Sequence, residues 1–237
     1  MIEGGYTPHI VTIFGNWIKT LFPVYQHVPE DLLHQFTFLH REIVCAHQPD
    51  EAAIIANTIF DPATPPGPVV ELGAYKGGMT AKLSLACLHT NRDFYVFDTF
   101  TGLPHNESQR DTKGSTREYH VGEYSGTIEE VERAILRAGG HAQLIQGDIA
   151  DTLPQWPVNP AVVFMDLDLI QSASTALRLL WPRMVPGGTW YTHEAGSRGF
   201  VEAITRLVPE TPLWGAGHGM GPHAANLAYW IKPLTSP

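Results

Sequence analysis

The chain has 237 residues, 43% of them hydrophobic and 16% charged, enough apolar content to enclose a core and far from a disordered polymer. Its 15 Lys and Arg stand against 24 Asp and Glu, a formal net charge of −9, and an acidic chain without a basic run lacks the electrostatic footprint of a nucleic-acid or anionic-membrane binder. Cys45 and Cys87 show no CxxC spacing, which excludes a disulfide framework or a cysteine-built zinc site and suits a reducing cytoplasm.

Residues 10–22 are apolar but interrupted by Asn16 and Lys19. They fall short of the roughly 20 residues of a membrane span and lack the basic flank of a signal peptide. Two readings stand for this segment: an arm that lids a site or joins two subunits, and a helix or loop packed on its own core. The low charge density leaves room for an apolar subunit interface, so a homodimer or larger homo-oligomer is expected. Leu32, Phe36, Leu39 and Ile43 recur at helical spacing, and a second apolar helix is predicted over 51–60 behind Pro49 and Asp50. Four prolines in 61–68 then forbid a regular helix. They divide the chain into an N-terminal arm and helical cap, 1–60, and an α/β domain, 61–237.

After the break, strands are predicted at 69–72, 94–97, 143–146, 162–165 and 189–192, and helices at 78–89, 128–137 and 172–183. Short strands alternating with helices imply a doubly wound, Rossmann-like parallel sheet. The helix after Thr127 has its own start and stop, because Thr127 and Glu130 have capping-box spacing and Gly139 and Gly140 close the far end. A helix at 200–208 precedes two short strands, 213–216 and 226–231, expected as an antiparallel edge pair, with a Gly-rich surface loop between them. The tryptophans read mainly as core or interface aromatics.

Chemistry concentrates at the strand ends. The run VVELGAYKGGM places Glu71 at the end of the first strand and Gly73, Gly77 and Gly78 at the opening of a helix, where ligands bind in doubly wound sheets. The spacing G-x-x-x-G-G is not the G-x-G-x-x-G of dinucleotide enzymes, and Glu71 would repel a pyrophosphate but suit the ammonium of an amino-acid-like ligand. Asp98 ends the second strand, where a carboxylate accepts hydrogen bonds from ribose hydroxyls. Gly147 and Asp148 end the third, as an adenine edge or as a cap of the short segment that follows. In MDLDL, Asp166 and Asp168 lie two apart at a fourth strand end, close enough to perturb each other's ionisation; Asp168 reads either as a crevice carboxylate or as the N-cap of the next helix.

With these motifs in order, residues 69–203 resemble the class I S-adenosylmethionine-dependent O-methyltransferases, and within them the metal-dependent macrocin and mycinamicin type that methylates sugar hydroxyls of natural products. The pieces that match are VVELGAYKGG, VFDTFTGLP, GDIADTLP, FMDLDL and WPRMVPGGTW. The first motif is also similar to that of catechol O-methyltransferases, although Leu169 stands where that group carries a lysine. The resemblance implies S-adenosylmethionine held by Glu71, Gly73, Ala74, Tyr75, Gly77, Gly78, Met79, Asp98, Thr99, Gly147, Asp148, Ile149 and Asp166. It also implies a hydroxylated small-molecule acceptor and a catalytic histidine at His120, with Asp168 and His193 as further candidates for the base.

The family's divalent cation implies Asp166 as one ligand and an adjacent acidic pair after the next strand as others. Here that pair is His193 and Glu194. Three readings stand: magnesium on Glu194 with His193 turned aside, a softer metal on Asp166, His193 and Glu194, or no metal with His193 as base or substrate ligand. His218 and His223 are placed to join Asp166 and His193, whereas His27, His34, His40 and His47 read as ordinary cap residues. Competing functions are N-methylation, cyclisation or another use of the same cofactor, a catalytically silent homologue, and an NAD-dependent oxidoreductase, the last disfavoured by the glycine spacing.

Overall fold

Runs of apolar residues without alternation belong to strands covered on both faces. Val69–Leu72 (β1), Val162–Met165 (β6) and Thr189–Thr192 (β7) are buried along their whole length. In the computed structural model, which describes residues 26–110, 115–194, 197–208, 214–216 and 227–234, these three lie side by side in parallel at the centre of a sheet. Phe94–Asp98 (β2) and Gln143–Gln146 (β5) extend it in parallel on one side. Leu227–Ile231 (β9) and Trp214–Ala216 (β8) extend it antiparallel on the other, giving the order β5-β2-β1-β6-β7-β9-β8. The expected mostly parallel sheet with an antiparallel edge pair is thus present.

The pleat sends alternate residues to opposite faces, and the helices divide accordingly. Glu30–Glu42 (α1), Pro49–Phe60 (α2), Gly78–Thr90 (α3) and Ile128–Ala138 (α4) share a core with Val69, Phe94, Val96, Val162 and Phe164. Ile149–Thr152 (α5), Ile170–Leu180 (α6) and Arg198–Thr205 (α7) enclose Val70, Leu72, Phe97, Val163, Met165 and Trp190 on the other face. α2 begins on Pro49, whose missing amide costs nothing in the first turn, and Gln48 and Glu51 close a capping box over it. α4 has the predicted box, with Thr127 Oγ1 accepting from Glu130 N and Glu130 Oε2 from Thr127 N; Gly139 ends it in the left-handed region.

Three boundaries differ from expectation. The helix predicted over 172–183 ends at Leu180 and continues as a 3₁₀ turn over Trp181–Arg183, because Pro182 has no amide to give an α-helical bond. The helix predicted at 200–208 runs Arg198–Thr205, started by Ser197 Oγ accepting from Phe200 N. The long loop over 101–126 contains an antiparallel hairpin, Glu107–Arg110 (β3) paired with Thr116–Tyr119 (β4). The apolar segment 10–22, His218, His223 and most of the late Gly-rich loop lie outside the described residues. Trp190 and Trp230 are fully enclosed and Trp156 and Trp181 buried, as core aromatics. Among the described residues no helix is long and apolar enough to cross a membrane.

Candidate active site

The parallel strands all end on one rim, and there a crevice of about 360 Å³ opens between the β1, β2 and β5 ends on one side and the β6 and β7 ends on the other. Its size is that of a small-molecule site. The reversal of strand order between β1 and β6 makes this the expected ligand crevice of a doubly wound sheet.

On the β1 side, Gly73 to Tyr75 form the wall. Gly73 has φ +90, and a Cβ there would run into the carbonyl of Asp166, so glycine lets β1 and β6 close at their ends. Asp98 fastens this wall to the turn after β2. Its Oδ2 accepts from Ala74 N at 2.6 Å and Tyr75 N at 3.3 Å, and its Oδ1 accepts from Phe100 N at 2.7 Å. Thr99, Gly147, Asp148 and Ile149 complete this half, and Asp148 also caps α5 by accepting from Ala150 N at 2.8 Å.

Four residues assigned to the cofactor do not line the crevice: Glu71, Gly77, Gly78 and Met79. The two glycines are closely packed. A Cβ on Gly77 would stand 2.9 Å from that of Ala134 in α4, and one on Gly78 2.5 Å from that of Cys45. Met79 is buried in the core, and Glu71 is completely enclosed. Burial pushes the Glu71 carboxyl up to about 8, against the pull of neighbouring Thr80 and His47.

The β6 and β7 ends gather Asp166, Asp168, His193 and Glu194 on the crevice, as the sequence predicted, and add a residue it did not. His47, placed among ordinary cap residues, is 6% exposed, with Nε2 2.9 Å from Asp166 Oδ2. It belongs to the turn between α1 and α2, which the packing of both helices lowers onto the sheet rim. His193 Nδ1 lies 3.5 Å from Asp166 Oδ1 and its Nε2 3.4 Å from Oε1 of buried Glu51. Burial would raise the Asp166 carboxyl, but His47 and His193 hold it well below the usual carboxylate range. Burial would lower both imidazoles, yet Asp166 raises His47 to about 9, and Asp166 with Glu51 raises His193 to about 11. Asp168 moves the other way, pushed by burial and by Asp166 to about 7. Glu194 is driven well above its ordinary value by burial and by both aspartates.

Asp168 is not the N-cap of α6. That helix starts from Leu169, and its first two amides are taken by Glu107 of the hairpin, which accepts from Ile170 N at 2.7 Å and Gln171 N at 3.1 Å. Asp168 itself has φ +58, an uncommon conformation for a side chain-bearing residue. Buried Gln109, two residues further along β3, donates to its carbonyl at 2.6 Å. The hairpin also brings Arg117 and Tyr119, and the following turn Tyr124, to the crevice; the Arg117 guanidinium lies 4.5 Å from the Tyr119 ring and donates to the Tyr124 hydroxyl. His120, the candidate catalytic histidine of this loop, is exposed beyond the end of β4 and is not in the lining.

The model of the TylF macrocin O-methyltransferase family matches residues 51–206, about two thirds of the chain. The chain belongs to the macrocin O-methyltransferase family. A Streptomyces olivaceus protein, 8-demethyl-8-(2,3-dimethoxy-alpha-L-rhamnosyl)-tetracenomycin-C 4'-O-methyltransferase, is 34% identical over 134 residues, 52% of this chain and 51% of that one. The chain thus spans about half the length of the curated relative it matches. Among solved structures, the calicheamicin methyltransferase CalS11 aligns with TM-score 0.64 and 17% identity over 96% of this chain and 94% of its own. The O-methyltransferase NovP aligns with TM-score 0.59 and 21% identity over 80% and 83%. At these identities the likeness establishes the shared fold. The family match takes in Glu51, Asp98, Asp166, Asp168, His193 and Glu194; His47 lies before it.

No periodic signal marks His47 or the hairpin residues. Glu51 had one, since it shares the helical stripe of Ile55 and Ile59, and a carboxylate on an apolar face at 2% exposure needs a partner.

Proposed function

We propose that the chain is an S-adenosylmethionine-dependent O-methyltransferase acting on a hydroxyl of a sugar or another small natural product. The observation that carries the reading is Asp98, fixed at the end of β2 beside the Gly73–Tyr75 wall, where ribose hydroxyls are met in doubly wound sheets. The nucleoside half of the cofactor belongs with Ala74, Tyr75, Asp98, Thr99 and Asp148, and the acceptor with the opposite wall. S-adenosylmethionine, when bound, supplies a methyl group already activated by its sulfonium, which leaves the protein to align the acceptor, take up its proton and exclude water.

Among the three candidate bases, His120 faces solvent, and both nitrogens of His193 are turned to carboxylates, Nδ1 to Asp166 and Nε2 to Glu51. Asp168 faces the crevice and is the base in this reading. The Asp168 carboxylate would take up the proton of the acceptor hydroxyl, while the methyl group that S-adenosylmethionine supplies would leave its sulfonium for the acceptor oxygen, with release of S-adenosylhomocysteine. Tyr119, Tyr124 and Arg117 roof the acceptor side, and the helices before residue 61, packed on one face of the sheet, bring His47 and Glu51 to the strand ends. An all-oxygen magnesium shell, as the resemblance implies, does not fit the donors present: an imidazole replaces one carboxylate, and a second imidazole, His47, sits on Asp166.

Calorimetry with S-adenosylhomocysteine and with NAD tests the cofactor, with binding of the first alone expected. Release of S-adenosylhomocysteine in the presence of a panel of deoxysugar glycosides tests the reaction. Asp168→Asn should slow that release by about 10²- to 10⁴-fold, the worth of a positioned base, while leaving S-adenosylhomocysteine bound. Tight NAD binding without a response to S-adenosylhomocysteine overturns the assignment.

A further inference from the structure

We propose that His47, Asp166 and His193 form a two-histidine, one-carboxylate site for a divalent transition metal of the zinc, iron and manganese class, in place of magnesium, and that the ion ties the N-terminal helices to the sheet rim. One ligand atom from each of the three lies within 4.8 Å of the others. Asp166 Oδ2 lies 2.9 Å from His47 Nε2 and its Oδ1 3.5 Å from His193 Nδ1, so the one carboxylate faces both imidazoles at separations comparable with the roughly 3 Å ligand-to-ligand edges of shells whose metal bonds are about 2.0 to 2.1 Å. The two imidazoles do not stack: their centroids are 4.4 Å apart with the planes at 71°.

The second nitrogen of His193 carries an independent mark of the same design. A metal-bound histidine characteristically turns its other nitrogen to an orienting group. His193 turns Nε2 to Glu51 Oε1 at 3.4 Å, and His47 turns Nδ1 to Cys45 Sγ at 3.9 Å. The His47 ring is further held edge-on against Phe164, centroids 5.2 Å apart. Three ligands leave further coordination positions, and Asp166, His193 and His47 all border the crevice, so these positions are open to a small molecule with oxygen donors. Two imidazoles and one carboxylate are a donor set for borderline metals and a poor one for magnesium. His47 lies ahead of the family-matched segment, 51–206, and the other two ligands lie within it.

The test uses the full, untagged chain after treatment with a chelator. Calorimetry and thermal melts with zinc, manganese and magnesium should give one zinc or manganese ion per chain and a raised melting temperature, and no response to magnesium at the same concentration. Cobalt added to the same protein should give visible absorption bands that zinc abolishes, a readout that needs neither an acceptor nor a variant. His47→Ala and His193→Ala should each weaken zinc by at least about 100-fold, and Glu51→Gln by about 10- to 100-fold, as for lost orienting partners. Calorimetry with S-adenosylhomocysteine on the metal-free protein keeps the methyltransferase reading separately testable. Magnesium that binds as tightly as zinc, absence of any stoichiometric ion, or full zinc affinity in His47→Ala overturns the proposal.

Discussion

Asp98 serves two purposes at once, and its substitution should divide accordingly. Asp98→Ala leaves Ala74 N and Phe100 N without their acceptor, so about 1–3 kcal/mol of stability should be lost in thermal or urea melts. S-adenosylhomocysteine affinity should fall by about 10- to 100-fold, the worth of hydrogen bonds to a charged group. A lowered melt with unchanged ligand affinity would reduce Asp98 to a structural tie. Glu71 gives a pH signature. Its pKa rises from 4.5 to about 8 on folding, so the folded state holds the proton more tightly than the unfolded one. The stabilisation is complete below about pH 4.5 and is lost as pH rises through about 8, at up to about 1.4 kcal/mol per pH unit. Glu71→Gln should flatten the fall in melting temperature over this window and melt above the parent at pH 8–9; parallel curves would contradict this.

Among the elements, the β3–β4 hairpin couples the roof of the crevice to its floor. Glu107 caps α6 and Gln109 holds the carbonyl of Asp168, a residue at φ +58 that local forces disfavour. Glu107→Gln should therefore raise hydrogen exchange at Ile170 and Gln171 by about 3- to 30-fold, the equivalent of a lost helix cap, without changing the amides of α4. Unaltered exchange would show that the cap stands without the hairpin. The α3–α4 contact gives a contrasting case. Gly77→Ala has to place a Cβ 2.9 Å from that of Ala134 at φ +81, so a destabilisation of about 1–3 kcal/mol is expected in urea melts.

At the scale of the molecule, the low charge density and the apolar segment 10–22 predict a dimer in light scattering of the full chain and a monomer once the chain starts at Gln26, just ahead of core Val28 and of the His27 N to Asn57 Oδ1 bond. A monomer in both forms would refute this. The sequence by itself determined whatever rests on near neighbours. The strands VVEL, VVFM and TWYT, the Thr127–Glu130 box and the Gly73 turn were legible because burial on both faces, capping and positive φ each leave a mark within a few residues. The sequence also placed Asp166, Asp168, His193 and Glu194 at strand ends, which parallel topology brings to one rim. Only the tertiary structure decided with whom each of them is paired. β3 and β4 are polar and mostly exposed, so no apolar alternation announced them, and their fit to Asp168 spans some 59 residues of chain. Glu71, legible as a strand-end carboxylate, was taken from the crevice by the pleat, which turned it under α3. His47 met Asp166 only because α1 and α2 share the core beneath β1 and β6, a contact set by packing among distant residues, which no local pattern encodes.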